Sequence, residues 1–269
     1  MKYIDFVGCM QTQIFYESWF YGNRAIVGML RHLSPAVGAA WAMVSLEGHT
    51  LAKAAWYTWQ KYRKVPSEYG LELNFNMGHQ GNRPVLLLHG AVGSWNYLGD
   101  LATSLQEKGY PVFVLNVGSG MVTDAMRDDV YKKIDQIREN YFHALGTETV
   151  VDIVAHSMGG NLAVAAAFAK EGSYIDAKGD LQFETGRVKK ATSSVGKVIT
   201  LAMPSNREEA GWMQEIGKIE DLFNIRAKYD ALMGHKECAL AESHVLNIDA
   251  GHVGIVFHPK TVDAISSFL

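Results

Sequence analysis

Four polar residues suited to act as acid, base or nucleophile follow predicted β-strands at the point where each strand ends. His89 follows the run PVLLL, and Ser157 lies just after the run VVDIVA. Asp230 follows the segment LFNIRAK, and His252 lies shortly after HVLNI. Because the carboxyl ends of parallel strands meet at one edge of a sheet, we expect all four side chains on the same rim.

Three of these residues have the chemistry needed for nucleophilic attack on a carbonyl carbon. The Ser157 hydroxyl is a poor nucleophile at neutral pH, so it needs a neutral imidazole to take its proton. We predict that His252 is this base. A buried carboxylate on the other ring nitrogen must hold the tautomer and balance the charge that the ring gains, and Asp230 is the predicted carboxylate.

The tetrahedral intermediate of such a reaction carries a negative oxygen, which needs hydrogen-bond donors aimed at it. The predicted donors are the backbone N–H groups of Ala91, after the PVLLL strand, and Met158, directly after the serine. His89 precedes a tight turn at Gly90. We expect both residues to support this oxyanion loop through hydrogen bonds.

Each assignment has rivals in the sequence. His258 precedes Pro259, which favours a helix start, and His244 lies at the beginning of its predicted strand rather than at its end. Asp221 lies at the entry of the strand that Asp230 follows, and Asp249 is almost adjacent to the proposed base. Position after the strand favours His252 and Asp230.

The pentapeptide from Ala155 to Gly159, Ala-His-Ser-Met-Gly, predicts an abrupt turn from strand into helix. Small residues are needed at such a corner, where a larger side chain would collide with the neighbouring backbone. We expect His156 to pack beside the turn. Taken alone, a serine at this position also fits a simple helix cap, so the catalytic interpretation depends on the other strand-end residues.

The strands that would position these residues are apolar runs separated by helical patterns. LELNFNMG alternates apolar with polar residues and predicts a half-buried strand at Leu71–Gly78. Apolar strands that alternate with helices require a mainly parallel sheet covered on both faces, so the predicted class is α/β. The further predicted strands are Pro84–Gly90, Pro111–Val117, Val150–Ala155, Lys197–Ala202, Leu222–Lys228 and His244–Ile248.

Four helices are predicted between and after these strands. Ser94 is the predicted cap of the first helix and Thr123 opens the second, while the other two cover Asn161–Lys170 and about Thr261–Leu269. Apolar residues recur at helical spacing in the first two. They are Leu98, Leu101 and Leu105 in the first helix, and Met126, Val130, Ile134, Ile137 and Tyr141 in the second.

Residues 1–66 have a different pattern and predict an N-terminal helical arm, with the catalytic domain at 67–269. Ser34 and Pro35 separate two helices of the arm. The second helix interleaves tryptophan and tyrosine with lysine and arginine. This mixture fits either a helical pair packed on the body of the protein or a peripheral membrane contact.

Composition excludes several function classes. The chain has 269 residues, 48% of them hydrophobic, and a net charge of -3, so we expect a globular protein without a nucleic-acid partner. The two cysteines, Cys9 and Cys238, cannot form a disulfide framework, although a single bridge stays open. The longest apolar stretch, Leu33–Leu46, is too short to span a bilayer, and no signal peptide is seen, which favours a cytoplasmic location.

From about Leu71 to Leu269 the chain resembles the α/β-hydrolase superfamily, which uses the chain order Ser, Asp, His. The segments VDIVAHSMGG, KVITLAMPSN and AGHVGIVFHPKTVDAISSFL are similar to small bacterial triacylglycerol lipases with an Ala-x-Ser-x-Gly elbow. The resemblance implies an α/β-hydrolase fold and cleavage of carboxylic esters of small molecules or lipids, without a cofactor or metal. It leaves the oligomeric state undetermined.

Other functions fit the same residues. A thioesterase, an amidase and an acyltransferase share the acyl-enzyme and differ only in leaving group or acceptor. A non-catalytic binding protein can also use a hydrolase scaffold.

Only about twenty residues separate the strands at 197–202 and 222–228, too few for a large cap domain. If anything covers the site, we expect it to be the arm or the loop 171–196.

Overall fold

A computed structural model describes residues 81–91, 95–118, 122–168, 174–175, 181–182, 193–204, 220–230 and 245–269. The predicted arm at 1–66 and the predicted strand at Leu71–Gly78 lie outside these residues. Their assignments therefore stay predictions. The segments that carry the predicted site residues Ser157, Asp230 and His252 are all described.

Six of the eight described strands form one parallel sheet, as the alternation of apolar runs and helices predicted. The strands are β1 (Val85–Leu88), β2 (Val112–Leu115), β3 (Val151–His156), β6 (Val195–Leu201), β7 (Leu222–Ala227) and β8 (Val245–Ile248). Their spatial order is β2-β1-β3-β6-β7-β8, and each neighbouring pair is parallel.

Burial on both faces of the sheet explains why its central strands read as continuous apolar runs. All four residues of β1 are fully buried. Successive side chains of a strand point to opposite faces, and accordingly Leu86 and Leu88 lie in one core cluster while Val85 and Leu87 lie in the other. The described residues therefore form two hydrophobic layers, one on each side of the sheet.

The described residues contain five α-helices, and these supply the two layers. They are α1 (Gly99–Glu107), α2 (Asp124–Leu145), α3 (Met158–Phe168), α4 (Gly254–Phe257) and α5 (Pro259–Phe268). The layer that contains Leu86 draws on α2 and α3, and the opposite layer draws on α1, α4 and α5. Helix α3 is apolar on all sides because it packs between α2 and the strands β3 and β6.

Helix α2 follows its sequence prediction closely. The Thr123 hydroxyl accepts a hydrogen bond from the Met126 N–H at 3.2 Å and so caps the first turn. Gly146 ends the helix in the left-handed conformation, with φ of 68°. The buried side of the helix consists of Val130, Ile134, Ile137 and Tyr141.

Helix α1 begins later than the sequence suggested. A short 3-10 helix at Trp95–Leu98 precedes it, and α1 itself starts at Gly99 without a side-chain cap. Leu98, Leu101 and Leu105 are buried together, as their spacing predicted. Ser94, the predicted cap, lies outside the described residues.

The carboxyl-terminal region contains one helix that the sequence pattern did not indicate. The four-residue α4 follows His252, and α5 begins at Pro259, two residues before the predicted start. His258 caps α5, since its Nδ1 accepts from the Lys260 N–H at 3.2 Å. In the loop 171–196, two short antiparallel strands, β4 (Tyr174–Ile175) and β5 (Leu181–Gln182), form a separate pair.

Strand register brings the carboxyl ends of the sheet level with one another. Leu88 at the end of β1 pairs with Ala155 near the end of β3, and His156 pairs with Leu201. The chain leaves β1 for β2 on one side and later enters β3 on the other, so the crevice beyond β1 and β3 is a topological switch point, where α/β sheets bind ligands. Within the described residues, no helix combines the length and apolar character needed to cross a bilayer.

Candidate active site

Ser157 occupies the sharp turn between β3 and α3. Its backbone φ is 55°, in the left-handed region that residues other than glycine rarely adopt. The Ser157 N–H donates to the Leu201 carbonyl at 2.8 Å, which fixes the turn to the end of β6. Helix α3 begins at the next residue, Met158, so the serine is held at the carboxyl edge of the sheet.

Two glycines allow the segments around Ser157 to approach closely. A Cβ on Gly159 would lie 2.5 Å from the His89 carbonyl oxygen, which shows that α3 is pressed against the end of β1. A Cβ on Gly90 would lie 2.9 Å from the Ser157 Cβ. The loop after β1 therefore runs directly alongside the serine.

The loops after β7 and β8 run side by side and carry Asp230 and His252. The Lys228 N–H donates to the Ile248 carbonyl at 2.8 Å, and the Tyr229 N–H donates to the Ala250 carbonyl at 2.9 Å. These backbone bonds extend the pairing of the two strands beyond their ends. They bring Asp230 next to the loop that contains His252.

The structure brings Ser157, His252 and Asp230 into one hydrogen-bonded line. Asp230 Oδ2 lies 2.7 Å from His252 Nδ1, and His252 Nε2 lies 2.8 Å from Ser157 Oγ. His252 and Ser157 are 3% and 7% exposed, and the Asp230 side chain is 6% exposed. A carboxylate can only accept, so Nδ1–H donates to Asp230 and the lone pair of neutral Nε2 faces the serine hydroxyl. This arrangement can remove the Ser157 proton as the oxygen attacks an electrophile.

The rival residues lie elsewhere. Asp249 forms an ion pair with Lys228 at 3.0 Å, and Asp221 lies before β7, at the opposite end of the strand from Asp230. His258 is the cap of α5. His244 lies outside the described residues.

His89 is part of a hydrogen-bond network that holds the loop after β1. Its Nδ1 lies 2.8 Å from the Gly90 carbonyl, and its Nε2 lies 3.2 Å from the Val117 nitrogen, beyond the end of β2. Because a carbonyl only accepts and a backbone N–H only donates, His89 carries its proton on Nδ1. The Asn116 Oδ1 lies 3.1 Å from the same Nε2. Because both atoms are acceptors in this tautomer, that contact adds no hydrogen bond. His89 thus ties the loop after β1 to the end of β2.

The two predicted oxyanion donors belong to segments next to Ser157, namely the start of α3 and the loop after β1. Met158 is the first residue of α3, so its N–H has no acceptor within the helix. Ala91 is the last residue described in the loop after β1, next to Gly90. The Gly90 N–H donates to the Tyr97 hydroxyl at 2.7 Å and is therefore occupied. Gly90 and Ala91 are consecutive residues of this loop. Because the Gly90 N–H is bonded to Tyr97, the Ala91 N–H is the better candidate to donate to an oxyanion.

Sequence reasoning missed two side chains that contact the site and part of the role of a third. No sequence pattern pointed to Tyr97, and Asn116 lay within the predicted strand Pro111–Val117. His156 was expected to pack beside the turn, and it does so, but it also makes two hydrogen bonds. Its Nδ1 lies 2.8 Å from the Tyr97 hydroxyl, and its Nε2 lies 2.9 Å from the His252 carbonyl. A lone tyrosine in a short 3-10 helix has no spacing pattern that would have signalled this role.

Burial determines the charge state of the residues behind the serine. Burial, together with the smaller effect of the neighbouring His252 ring, lowers the pKa of His156 to about 3, so the ring is neutral at physiological pH. Burial also raises the pKa of the Tyr97 hydroxyl, although the Gly90 N–H opposes this effect. Among the described residues, no group of three or more His, Cys, Asp or Glu side chains is placed to hold a metal ion.

Comparison with known proteins identifies the relatives of this chain. A sequence model described as alpha/beta hydrolase family matches residues 85–236, more than half of the chain. The structure is similar to an esterase of Pyrococcus furiosus, with a TM-score of 0.51 and 17% identity over 70% of this chain and 83% of that one. It is also similar to a bifunctional GH43-CE protein of Bacteroides eggerthii, with a TM-score of 0.50 and 20% identity over 71% of this chain and 34% of that one. At these identities the structural likeness shows the fold alone. Comparison with curated proteins finds no match.

Proposed function

The chain belongs to the alpha/beta hydrolase family, and from this we propose that it is a serine hydrolase that cleaves carboxylic ester bonds through an acyl-enzyme intermediate. The observation that supports the proposal is the hydrogen-bonded line from Asp230 through His252 to Ser157. Its atoms are in the order that proton removal from a serine requires. The sharp turn that presents Ser157 has the features of a nucleophile elbow.

In the first half of the reaction, the Ser157 oxygen attacks the ester carbonyl carbon and His252 Nε2 takes the hydroxyl proton. The carbonyl oxygen becomes an oxyanion, which the N–H groups of Ala91 and Met158 stabilise. The tetrahedral intermediate then expels the alcohol, which receives its proton from His252. The products of this half are the free alcohol and an acyl group bound to Ser157.

In the second half, water attacks the acyl carbon while His252 takes one of its protons. A second tetrahedral intermediate collapses, the carboxylic acid leaves, and His252 returns the proton to Ser157. Asp230 keeps its negative charge and stabilises the imidazolium in both halves. The route uses only the chain's own groups and water, so it requires no cofactor or metal.

The substrate class that we propose is an ester of a small molecule or a lipid. The Ala-x-Ser-x-Gly pentapeptide at Ala155–Gly159 supports this choice through its similarity to bacterial triacylglycerol lipases. The catalytic unit is assigned to 67–269. The contact of residues 1–66 with a membrane or with the body of the protein stays a prediction, as does the cytoplasmic location.

Hydrolysis of a substrate panel tests the proposed function. The panel contains p-nitrophenyl esters of increasing acyl length, an acyl thioester and an anilide. We expect the esters to be cleaved fastest, and Ser157→Ala to lower their kcat by about 10⁴-fold or more. Ser104→Ala, on α1, is the matched control and should leave the rate unchanged. A Ser157→Ala protein as active as the wild type, or a preference for the thioester or anilide, would refute the assignment.

A further inference from the structure

We propose that Tyr97 and His156 are positioning residues, which hold the oxyanion loop and the backbone of His252 in one fixed geometry through a buried chain of hydrogen bonds. The inference rests on the proposed function, since it assigns these residues to the same reaction. Neither side chain contacts the serine oxygen or the Asp230 carboxylate in the hydrogen bonds described. Their contribution is therefore to the placement of the reacting groups.

Three consecutive short contacts form this hydrogen-bond chain. The Gly90 nitrogen lies 2.7 Å from the Tyr97 hydroxyl, which lies 2.8 Å from His156 Nδ1. His156 Nε2 lies 2.9 Å from the His252 carbonyl oxygen. Tyr97, His156 and His252 are each 4% exposed or less. The contacts join residues that are 7, 59 and 96 positions apart in the amino-acid sequence.

When His156 is neutral, the donors and acceptors in this hydrogen-bond chain permit only one assignment of the protons. The Gly90 N–H can only donate and the His252 carbonyl can only accept. The Tyr97 hydroxyl therefore accepts from Gly90 and donates to His156 Nδ1, and His156 carries its proton on Nε2 and donates it to His252. Every bond points in the same direction, so loss of one member leaves a buried partner without its bond.

His156 must stay neutral for this hydrogen-bond chain to form. A proton on Nδ1 would turn that atom from an acceptor into a donor and would break the bond from Tyr97. The buried surroundings of the ring and the proximity of the His252 ring, 5.2 Å away between centroids, both oppose protonation. The hydrogen-bond chain is therefore maintained at physiological pH.

The chain fixes the two features of the site whose positions matter most for the reaction. Gly90 precedes Ala91, the loop donor assigned to the oxyanion, and the Cβ position of Gly90 is 2.9 Å from the Ser157 Cβ. The His252 backbone sets where its ring meets Ser157. An error of about 1 Å in such groups can cost 10²-fold in rate.

Packing alone does not explain the choice of residues. The Tyr97 and His156 rings meet edge to face, with centroids 5.6 Å apart, and apolar side chains could fill this space without burying polar atoms. Buried polar groups cost free energy unless each is satisfied, but a fully satisfied network specifies one arrangement of the elements it joins. Here it joins the loop after β1, the end of β3 and the loop after β8.

The kinetic test uses Tyr97→Phe, which removes only the hydroxyl, and Tyr110→Phe as the matched control outside the site. Active sites are counted with a fluorophosphonate, so that kcat refers to folded protein alone. We expect Tyr97→Phe to lower kcat between about 10- and 100-fold with little change in KM. Tyr110→Phe should match the wild type. A Tyr97→Phe protein with wild-type kcat for each titrated site would overturn the proposal, even if less of it folds.

An NMR measurement on protein with ¹⁵N-labelled histidine tests the chain independently of activity. We expect the His156 ring to show a protonated Nε2 and a hydrogen-bonded Nδ1, with no titration between about pH 5 and 9. Tyr97→Phe should shift the Nδ1 resonance, whereas Tyr110→Phe should not. Titration of His156 in this range, or an Nδ1 resonance unaffected by Tyr97→Phe, would overturn the proposal.

The two measurements separate this inference from the proposed function. If the wild-type protein cleaved no ester, the proposed function would fail, and the NMR result would still support or overturn the hydrogen-bond chain.

His156→Gln serves as a second variant in the kinetic test, because its amide can still donate to the His252 carbonyl. We expect its kcat to fall less than that of His156→Leu, and equal values for the two would contradict the positioning role.

Discussion

At the scale of single residues, Asp230 determines whether His252 can act as a base. A carboxylate at 2.7 Å from Nδ1 forces the ring proton onto that nitrogen and leaves the Nε2 lone pair directed at Ser157. An amide in the same place can present its NH₂ group to Nδ1 instead. The ring would then carry its proton on Nε2, facing the serine, and could not accept a second one.

Asp230→Asn should therefore lower kcat by roughly 10³- to 10⁴-fold while the protein stays folded. Asp249→Asn is the matched control, because Asp249 is close to His252 in the chain but pairs with the partly exposed Lys228. We expect its kcat to stay near that of the wild type. Ester hydrolysis by the purified variants measures both effects, and an equal or greater loss from Asp249→Asn would disprove the assignment of Asp230.

The residues of the site differ in how far the sequence predicts them. Ser157, Asp230 and His252 each follow a recognisable strand, and the parallel sheet places strand ends at one edge, so their proximity was predictable. Tyr97 and Asn116 contact the site through loop geometry, which depends on tertiary packing and has no periodic signal. The catalytic roles of all these residues stay predictions until they are measured.

At the scale of secondary structure elements, the contact between α3 and β1 sets the position of Ser157. Gly159 lies in the first turn of α3, and a Cβ there would lie 2.5 Å from the His89 carbonyl oxygen and 3.0 Å from that of Leu88. Both atoms belong to the backbone, so they cannot move without displacing β1 or the loop that follows it. The helix can approach the strand this closely only because residue 159 has no side chain.

Gly159→Ala should destabilise the protein by about 1 to 3 kcal/mol or more, because the added methyl group must push α3 away from β1. Gly99→Ala is the matched control. Gly99 is the first residue of α1, and its Cβ would have no neighbour within 4 Å, so we expect no loss and a gain of up to about 1 kcal/mol. Urea unfolding gives both values. Equal stabilities for the two variants would be incompatible with the close approach.

Most of the elements were predictable because each has a local signal. The strands are apolar runs bounded by polar or small residues, and α2 has both a capping threonine and a row of buried residues at helical spacing. The short α4 and the 3-10 helix at Trp95–Leu98 have no such signal, since one turn of helix is too short to display a period. The β4 and β5 pair has only two residues in each strand and was predicted as loop.

At the scale of the whole molecule, the sheet brings together residues that are distant in the chain. His252 is 22 residues from Asp230 and 95 from Ser157, yet both hydrogen bonds are shorter than 3 Å. The parallel strands collect these residues at one edge, and the strand order changes direction between β1 and β3, the place where α/β sheets bind ligands. Family membership follows from the sequence match and the fold, whereas the activity depends on this group of side chains.

Labelling with a fluorophosphonate probe, followed by peptide mass spectrometry, tests whether these side chains form a working nucleophile. We expect one adduct for each chain, located on the Ser157 oxygen. It should be lost in Ser157→Ala and form far more slowly in His252→Gln, because the serine then has no base. An unlabelled wild-type protein would favour a non-catalytic binding protein on a hydrolase scaffold, and an adduct on another residue would contradict the proposed nucleophile.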